Sequence, residues 1–149
     1  MNSPFTQSSG RERKFGEHFR VKHGYAFQSK NFAESGPYIV LTPGNFFDTG
    51  GFKSKGEKEK YYIGDVPPNF ILNKGDLLVV MTEQAEGLLG SPAIIPETNK
   101  YLHNQRLGLI LELRDIHKKF LYYLFNSKNV RAQIRAMSSG VKVRHTSPE

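Results

Sequence analysis

The 149-residue chain contains no cysteine and no tryptophan. The absence of cysteine excludes disulfide bonds, a cysteine-ligated zinc site and a cysteine nucleophile. It also fits a reducing compartment, in which disulfide bonds rarely persist. The length is typical of one domain and is sufficient to bury a hydrophobic core.

Long apolar runs are missing as well. The longest runs, at 76–81 and 107–113, are far shorter than the roughly 20 residues that span a bilayer as a helix. Residues 1–14 are polar and carry no apolar segment typical of a signal peptide. We therefore expect a soluble, cytoplasmic protein without a membrane partner.

The sequence also lacks the common catalytic motifs. A phosphate-binding loop needs glycines followed by Lys-Ser or Lys-Thr before a helix, and the segment from Gly44 to Gly51 has no such ending. Pro67–Phe70 contains residues of an amino-methyltransferase motif in the wrong order, and Glu83 with Glu86 is too little for a nuclease metal site. The five histidines show none of the short spacings of a metal site; they stand at positions 18, 23, 103, 117 and 145. We expect no catalytic centre, no metal and no cofactor.

Positive charge is concentrated at the two ends of the chain. The net charge is +7, and residues 1–60 contribute +4, residues 61–117 contribute −3 and residues 118–149 contribute +6. A concentrated basic surface attracts polyanions, first of all nucleic acid. The alternative is a soluble protein that is basic without a polyanionic partner.

The polar and charged composition of residues 1–14 predicts a flexible arm, and residues 15–149 are expected to form a single domain. Short apolar runs predict strands at 19–21, 38–42, 77–81, 93–95, 101–102 and 107–113, the last two forming a hairpin around 103–106. Residues 31–35 predict one helical turn, and the glycine- and lysine-rich segment 48–60 predicts a long exposed loop. Apolar spacing predicts a helix at Lys118–Phe125 and a second helix that is capped by Ser127 and runs through Met137, with loop or edge structure from 138 to 149. The expected class is α+β, a strand-rich body with a C-terminal helical pair.

A series of short motifs occurs in a fixed order along the chain. The series is GYAFQSKNF at 24–32, Gly36-Pro37-Tyr38-Ile39, Gly44-Asn45, NKGDLLV at 73–79, Thr82 with Gly87 and Gly90, Asn104-Gln105-Arg106, FLYYL at 120–124, and Gly140. This series, over residues 17–147, resembles the target-recognition domains of type I restriction–modification specificity subunits. Within it, Gly75 suits a turn position with positive φ, and Asp76 suits a polar residue that closes the turn.

The resemblance implies a non-catalytic, DNA-binding domain of a host-defence system. Such a domain reads one half of a split double-stranded site and directs methyltransferase and restriction subunits to it. In that family a long helix after each recognition domain docks the methyltransferase. This chain stops at Ser147-Pro148-Glu149, where that helix would begin, and it has no second recognition domain. We therefore expect a fragment or a natural half-length form, truncated before the connecting helix.

DNA recognition requires basic groups for phosphates and amide or basic groups for base edges. For phosphate contacts the sequence favours Lys53, Lys55, Lys58, Lys142 and Arg144. For base contacts it favours Gln84, His103, Asn104, Gln105, Arg106 and His145, on loops carried by strands. The competing interpretation is that the lysines are solvated and that Asn104 and Gln105 only shape a turn. Arg131 and Arg135 are expected to solvate the last helix, with phosphate contact as the alternative.

Two other functions remain open from the sequence. The first is a recognition domain severed from a single-chain restriction or methylation enzyme, which differs only in what was attached. The second is an RNA-binding module, in which Phe46, Phe47 and Phe52 would stack on unpaired bases.

Overall fold

The computed structural model of the protein describes residues 19–82 and 87–144, with side chains described only as far as Met137. Eight strands and two α-helices lie in these segments. The strands are β1 (Arg20–His23), β2 (Phe32–Ala33), β3 (Tyr38–Val40), β4 (Lys60–Tyr62), β5 (Leu77–Val80), β6 (Pro92–Ile94), β7 (Tyr101–Leu102) and β8 (Leu107–Leu111). The helices are α1 (Lys118–Phe125) and α2 (Lys128–Arg144).

The strands form two four-stranded sheets. The first sheet has the order β1-β8-β5-β6 and is antiparallel throughout. The second has the order β2-β4-β3-β7, in which β3 and β7 are parallel. Together with the C-terminal helices, these sheets confirm the predicted α+β class.

Strand β5 is buried on both faces, which explains its uninterrupted apolar sequence. Leu78 and Val80 point into a core between the two sheets, whereas Leu77 and Val79 point into a second core beneath the helices. The helices close this second core with Leu121, Phe125 and Ile134. Because side chains alternate across a strand, a single four-residue segment joins the two cores.

The outer face of the second sheet is covered by aromatic residues rather than by a helix. Val40, Tyr62 and Leu102 form a small cluster on this face. Phe27 packs edge-on against the Tyr62 ring at a centroid distance of 5.1 Å. This cover comes from the GYAFQSKNF segment, in which Phe27 is partly buried against the cluster and Ala26 is exposed.

The two helices begin where the sequence predicted. The hydroxyl of Ser127 accepts a hydrogen bond from the Val130 amide at 3.2 Å, which confirms its capping role. The second helix is longer than predicted, since α2 continues to Arg144. The prediction of loop or edge structure from residue 138 is therefore wrong for residues 138–144. Within the described residues, neither helix has the length and hydropathy required to cross a membrane.

Two local predictions are wrong. Residues 101–102 and 107–111 do not form a hairpin, because β7 pairs with β3 in the second sheet and β8 pairs with β1 and β5 in the first. The helical turn at 31–35 is also wrong: a 3₁₀ helix at Ser29–Asn31 precedes strand β2. In both places pairing with a distant strand overrides the local pattern.

The predicted exposed loop at 48–60 is more structured than its composition indicates. A turn follows Phe47, a 3₁₀ helix spans Gly56–Lys58, and β4 begins at Lys60.

Candidate nucleic-acid interface

Several loops meet at one end of the two sheets, and we call this region the strand-end surface. Its segments are 23–25, 42–59, 81–82, 87–91 and 103–106. The parallel strands β3 and β7 both end here, and β4, the antiparallel neighbour of β3, begins here. Residues 103–106 lead directly from β7 into β8, so β8 of the first sheet begins at the same end. Because β5 is antiparallel to β8 and β6 is antiparallel to β5, β5 ends here and β6 begins here.

Backbone hydrogen bonds connect these loops to one another. The Gly51 amide donates to the Pro92 carbonyl at 2.8 Å, and the Met81 amide donates to the Arg106 carbonyl at 2.9 Å. The Gln105 amide donates to the Tyr25 carbonyl at 3.1 Å. The register thus brings together the described parts of 53–58, 82–90 and 103–106, the segments that contain the predicted DNA-binding residues other than Lys142, Arg144 and His145.

Residues 53–58, which we call the lysine-rich segment, are held in place by the buried polar pair Asn45 and Glu59. The Asn45 side chain, which is fully buried, donates to the Lys53 carbonyl at 3.0 Å and to Glu59 Oε1 at 3.1 Å. Glu59 Oε2 in turn accepts from the Lys55 amide at 2.8 Å. Because both ends of the segment bind the same pair, its path over the surface is defined.

The three lysines on this segment differ in exposure. Lys53 and Lys58 are exposed, and Lys53 Nζ lies 5.4 Å from the centre of the Phe47 ring. Lys55 is half-buried and donates to Thr42 Oγ1 at 3.0 Å. Burial lowers the pKa of Lys55 from its ordinary value, although Glu59 opposes this effect. Lys53 and Lys58 are therefore the lysines best placed to meet a polyanion.

His103 does not have the position that a base-reading residue requires. Its side chain is fully buried, and Nε2 lies 2.7 Å from the Leu107 carbonyl. Because a carbonyl oxygen only accepts, Nε2 carries a proton. Burial lowers the pKa of His103 to about 4. We correct the prediction for this residue: it shapes the connection between the sheets.

The neighbouring residues 104–106 divide into a turn former and exposed groups. Asn104 Oδ1 accepts from the Arg106 amide at 3.1 Å, the turn-shaping role that was the competing interpretation for Asn104. Gln105 is exposed and Arg106 is partly exposed. The turn is packed tightly, since a Cβ atom on Gly24 would lie 2.0 Å from the Asn104 carbonyl oxygen. Gln105 and Arg106 thus remain on the strand-end surface.

The phenylalanines expected to stack on RNA bases are mostly internal. Phe46 is 2% exposed, and Phe52 packs edge-on against Tyr101 at 5.1 Å. Phe47 alone among these three projects outward, with 45% of its surface exposed. A continuous aromatic platform is therefore absent from this loop, which removes the feature that favoured an RNA-binding module.

Arg131 has a role that the sequence did not predict. It was expected to solvate helix α2, with phosphate contact as the alternative, but only 6% of the residue is exposed. Its guanidinium group reaches the 48–50 and 87–90 loops of the strand-end surface. The available signal was its position three residues before Ile134, on the apolar face of α2.

The remaining predicted residues have no described side chain. Lys142 and Arg144 lie in α2 and not on a loop. Gln84 and His145 fall outside the described residues. In the segments that the structure covers, no group of three or more histidine, aspartate or glutamate side chains is arranged to hold a metal ion.

Comparison with solved structures gives matches of low sequence identity. The crystal structure of an HsdS subunit from Thermoanaerobacter tengcongensis matches with a TM-score of 0.50 and 16% identity, covering 89% of this chain and 39% of that one. This chain shares its fold with part of a specificity subunit.

Two further matches have lower scores. The type I restriction–modification S subunit from M. genitalium gives a TM-score of 0.48 and 16% identity over 87% of this chain and 28% of that one. A chain from a structural study of type I R-M assembly and conformational transition gives 0.49 and 17% over 74% and 26%. This chain thus spans between about a quarter and two fifths of the chains that it matches. No family model and no curated protein matches the sequence.

Proposed function

We propose that this chain binds double-stranded DNA through the strand-end surface, as a target-recognition domain of a type I specificity subunit. In this role it reads one half of a bipartite target and directs methyltransferase and restriction subunits there, in the cytoplasm. It carries no catalytic residue of its own. The shared fold with a specificity subunit supports the general role.

One observation carries the proposal: exposed basic and amide side chains meet on one rigid end of the sheets. Lys53 and Lys58 are exposed on a segment fixed by Asn45 and Glu59, and Gln105 is exposed on the adjoining connection. Lysines attract and position phosphates without reading sequence, whereas a glutamine side chain can pair with adenine in the major groove. The surface therefore offers both kinds of contact that recognition requires.

The single most informative experiment is selection from a random duplex library. The full chain is mixed with the methyltransferase subunit of its own system, because a reader of one half-site alone binds weakly. An enriched motif of a few base pairs is the expected result. Failure to enrich any motif in the complete complex contradicts the proposal.

Salt dependence and lysine variants test the surface itself. The logarithm of the association constant is expected to fall with the logarithm of salt concentration, with a slope of about −0.9 per phosphate contact. Lys53→Ala and Lys58→Ala should each reduce the steepness by about one contact. Lys74 is exposed in the turn before β5, at the opposite end of the sheet, so Lys74→Ala is the matched control. Equal effects of all three substitutions would place the DNA elsewhere.

A further inference from the structure

Arg131 joins helix α2 to two loops of the strand-end surface. Its Nε donates to the Leu89 carbonyl at 3.1 Å, and its Nη2 donates to the Asp48 carbonyl at 2.9 Å and also to the Gly87 carbonyl. Its Nη1 donates to Asn126 Oδ1 at 3.1 Å. One planar group thus holds loop segments that are about forty residues apart in sequence.

Asn126 extends this contact to the turn after Phe47. Its Nδ2 donates to the Thr49 carbonyl at 2.5 Å. The backbone of the turn lies directly against it, because a Cβ atom on Gly50 would be 2.7 Å from Asn126 Cγ. Gly50 also has a φ of +87°, so the turn depends on glycine both for conformation and for space. The arrangement leaves the turn little freedom to move relative to α2.

The acceptors of Arg131 are all neutral. Three are backbone carbonyl oxygens and the fourth is the amide oxygen of Asn126. Burial lowers the pKa of Arg131, the nearby Arg135 acts in the same direction, and Asp48 opposes them. Removing a guanidinium group from water is costly. If Arg131 acted only through its charge, it would need neither the buried position nor four directed hydrogen bonds. The geometry therefore indicates a role in positioning.

We propose that Arg131 is a positioning residue for DNA discrimination: it fixes the Phe47 turn and the 87–90 loop in the orientation that meets the duplex. This inference rests on the proposed function. Arginine suits the role because its guanidinium fork is planar and rigid, whereas lysine presents a single point charge on a flexible stem. Loops of this kind lose selectivity when they move, because base contacts depend on orientation more than phosphate contacts do.

The test compares Arg131→Lys, which keeps the charge, with Arg131→Met, which keeps most of the length. Arg135 lies one turn along α2 and is exposed, so Arg135→Lys is the matched control. Asn126→Ala removes one of the four hydrogen-bond acceptors of Arg131 and serves as a milder variant if Arg131→Met does not fold. Each full-length variant is examined by hydrogen exchange and by DNA binding.

The hydrogen-exchange experiment requires no DNA. In Arg131→Lys, amides in 47–51 and 87–91 should exchange at least about tenfold faster, because they lose their common anchor. Amides of β5 and β8 should keep their protection. Unchanged exchange in both loops, or a uniform increase that includes β5 and β8, would overturn the proposal. If the wild type binds no duplex, that result refutes the proposed function. The exchange result still decides whether Arg131 positions the two loops, because this experiment contains no DNA.

The DNA-binding experiment uses the duplex enriched from the random library and a scrambled duplex of equal length. Arg131→Lys and Arg131→Met should both reduce the ratio of the two affinities by at least about fivefold, while binding to the scrambled duplex changes by less than about twofold. Arg135→Lys should leave the ratio unchanged. Full discrimination in Arg131→Lys would mean that the charge suffices, and the proposal would fail.

Discussion

Asn45 Nδ2 donates a hydrogen bond to Glu59 Oε1 at 3.1 Å, across fourteen residues of sequence. The same asparagine accepts from the Thr42 amide through Oδ1 at 3.0 Å and donates to the Lys53 carbonyl. It therefore closes a turn after β3 and anchors the lysine-rich segment at once. Its side chain has no exposed surface, so water cannot replace these contacts without a rearrangement.

Asn45→Ala should destabilise the protein by about 2–3 kcal/mol, because it leaves buried donors and acceptors without partners. The midpoint of urea denaturation measures the loss. Asn129 is exposed on α2, so Asn129→Ala is the matched control and should change the free energy of unfolding by less than about 0.5 kcal/mol. Similar midpoints for the two variants would mean that the Asn45 network contributes nothing to stability.

Gly24→Ala should be among the more damaging small substitutions in the chain. The added Cβ would lie 2.0 Å from the Asn104 carbonyl oxygen, so the backbone of 103–105 or of β1 has to move. We expect a loss on the order of 3 kcal/mol in the free energy of unfolding. At Gly44 an added Cβ would only reach 3.4 Å from the Lys55 side chain, so Gly44→Ala should be tolerated. Wild-type stability in Gly24→Ala would refute this account of the glycine.

The buried His103 makes stability depend on pH. Its pKa is about 4 in the folded protein against an ordinary value of 6.5, so the unfolded chain binds more protons between these values. Stability should therefore be constant above about pH 6.5 and should fall as the pH drops toward 4, by at most roughly 3 kcal/mol from this residue.

The measurement is the free energy of unfolding from pH 4 to 8 in wild type and in His103→Gln. Glutamine retains a donor for the Leu107 carbonyl but does not titrate, so its curve should be flatter on the acid side. Parallel curves for wild type and His103→Gln would refute the prediction.

Much of the fold could be predicted from the sequence, because local patterns determine it. The uninterrupted run Leu77–Val80 indicates a strand buried on both faces, and Gly75 has the positive φ that its turn predicted, at +92°. The partner of β7 could not be predicted. A strand of two residues carries no alternation to fix its register, and its neighbour β3 lies about sixty residues earlier in the chain.

The candidate site was only partly predictable. The residue types of the lysine-rich segment and of 104–106 indicated binding, and those segments do meet at one end of the sheets. The sequence could not show which polar groups turn inward, since His103 and Gln105 have similar local surroundings but opposite exposure. The buried positions of Arg131 and Glu59 could not be predicted for the same reason. Arg131 donates to a carbonyl oxygen in a distant loop, and Glu59 accepts from Asn45 in another loop.

Phe47 provides a final prediction about the proposed DNA surface. Its ring is 45% exposed, but its backbone is fixed: the amide donates to the Gly51 carbonyl at 3.1 Å, and the carbonyl accepts from Ser91 Oγ. A rigidly mounted apolar side chain can contact a thymine methyl group or enter a base step. Such a contact displaces no counterion from the duplex.

Phe47→Ala should therefore lower the affinity for the enriched duplex by about threefold to tenfold, while the slope of affinity against salt stays the same. Lys53→Ala should reduce the steepness of this slope. Substitutions at Phe47 and Lys53, which lie next to each other on the surface, are therefore expected to differ in their effect on the salt dependence of binding. Phe120 is 56% exposed near the start of α1, where Lys118 contacts the Gly75 turn at the opposite end of the sheet. Phe120→Ala should accordingly bind DNA like the wild type. If Phe47→Ala flattens the salt slope instead, the ring acts only by supporting the Lys53 ammonium group, which lies 5.4 Å from its centre.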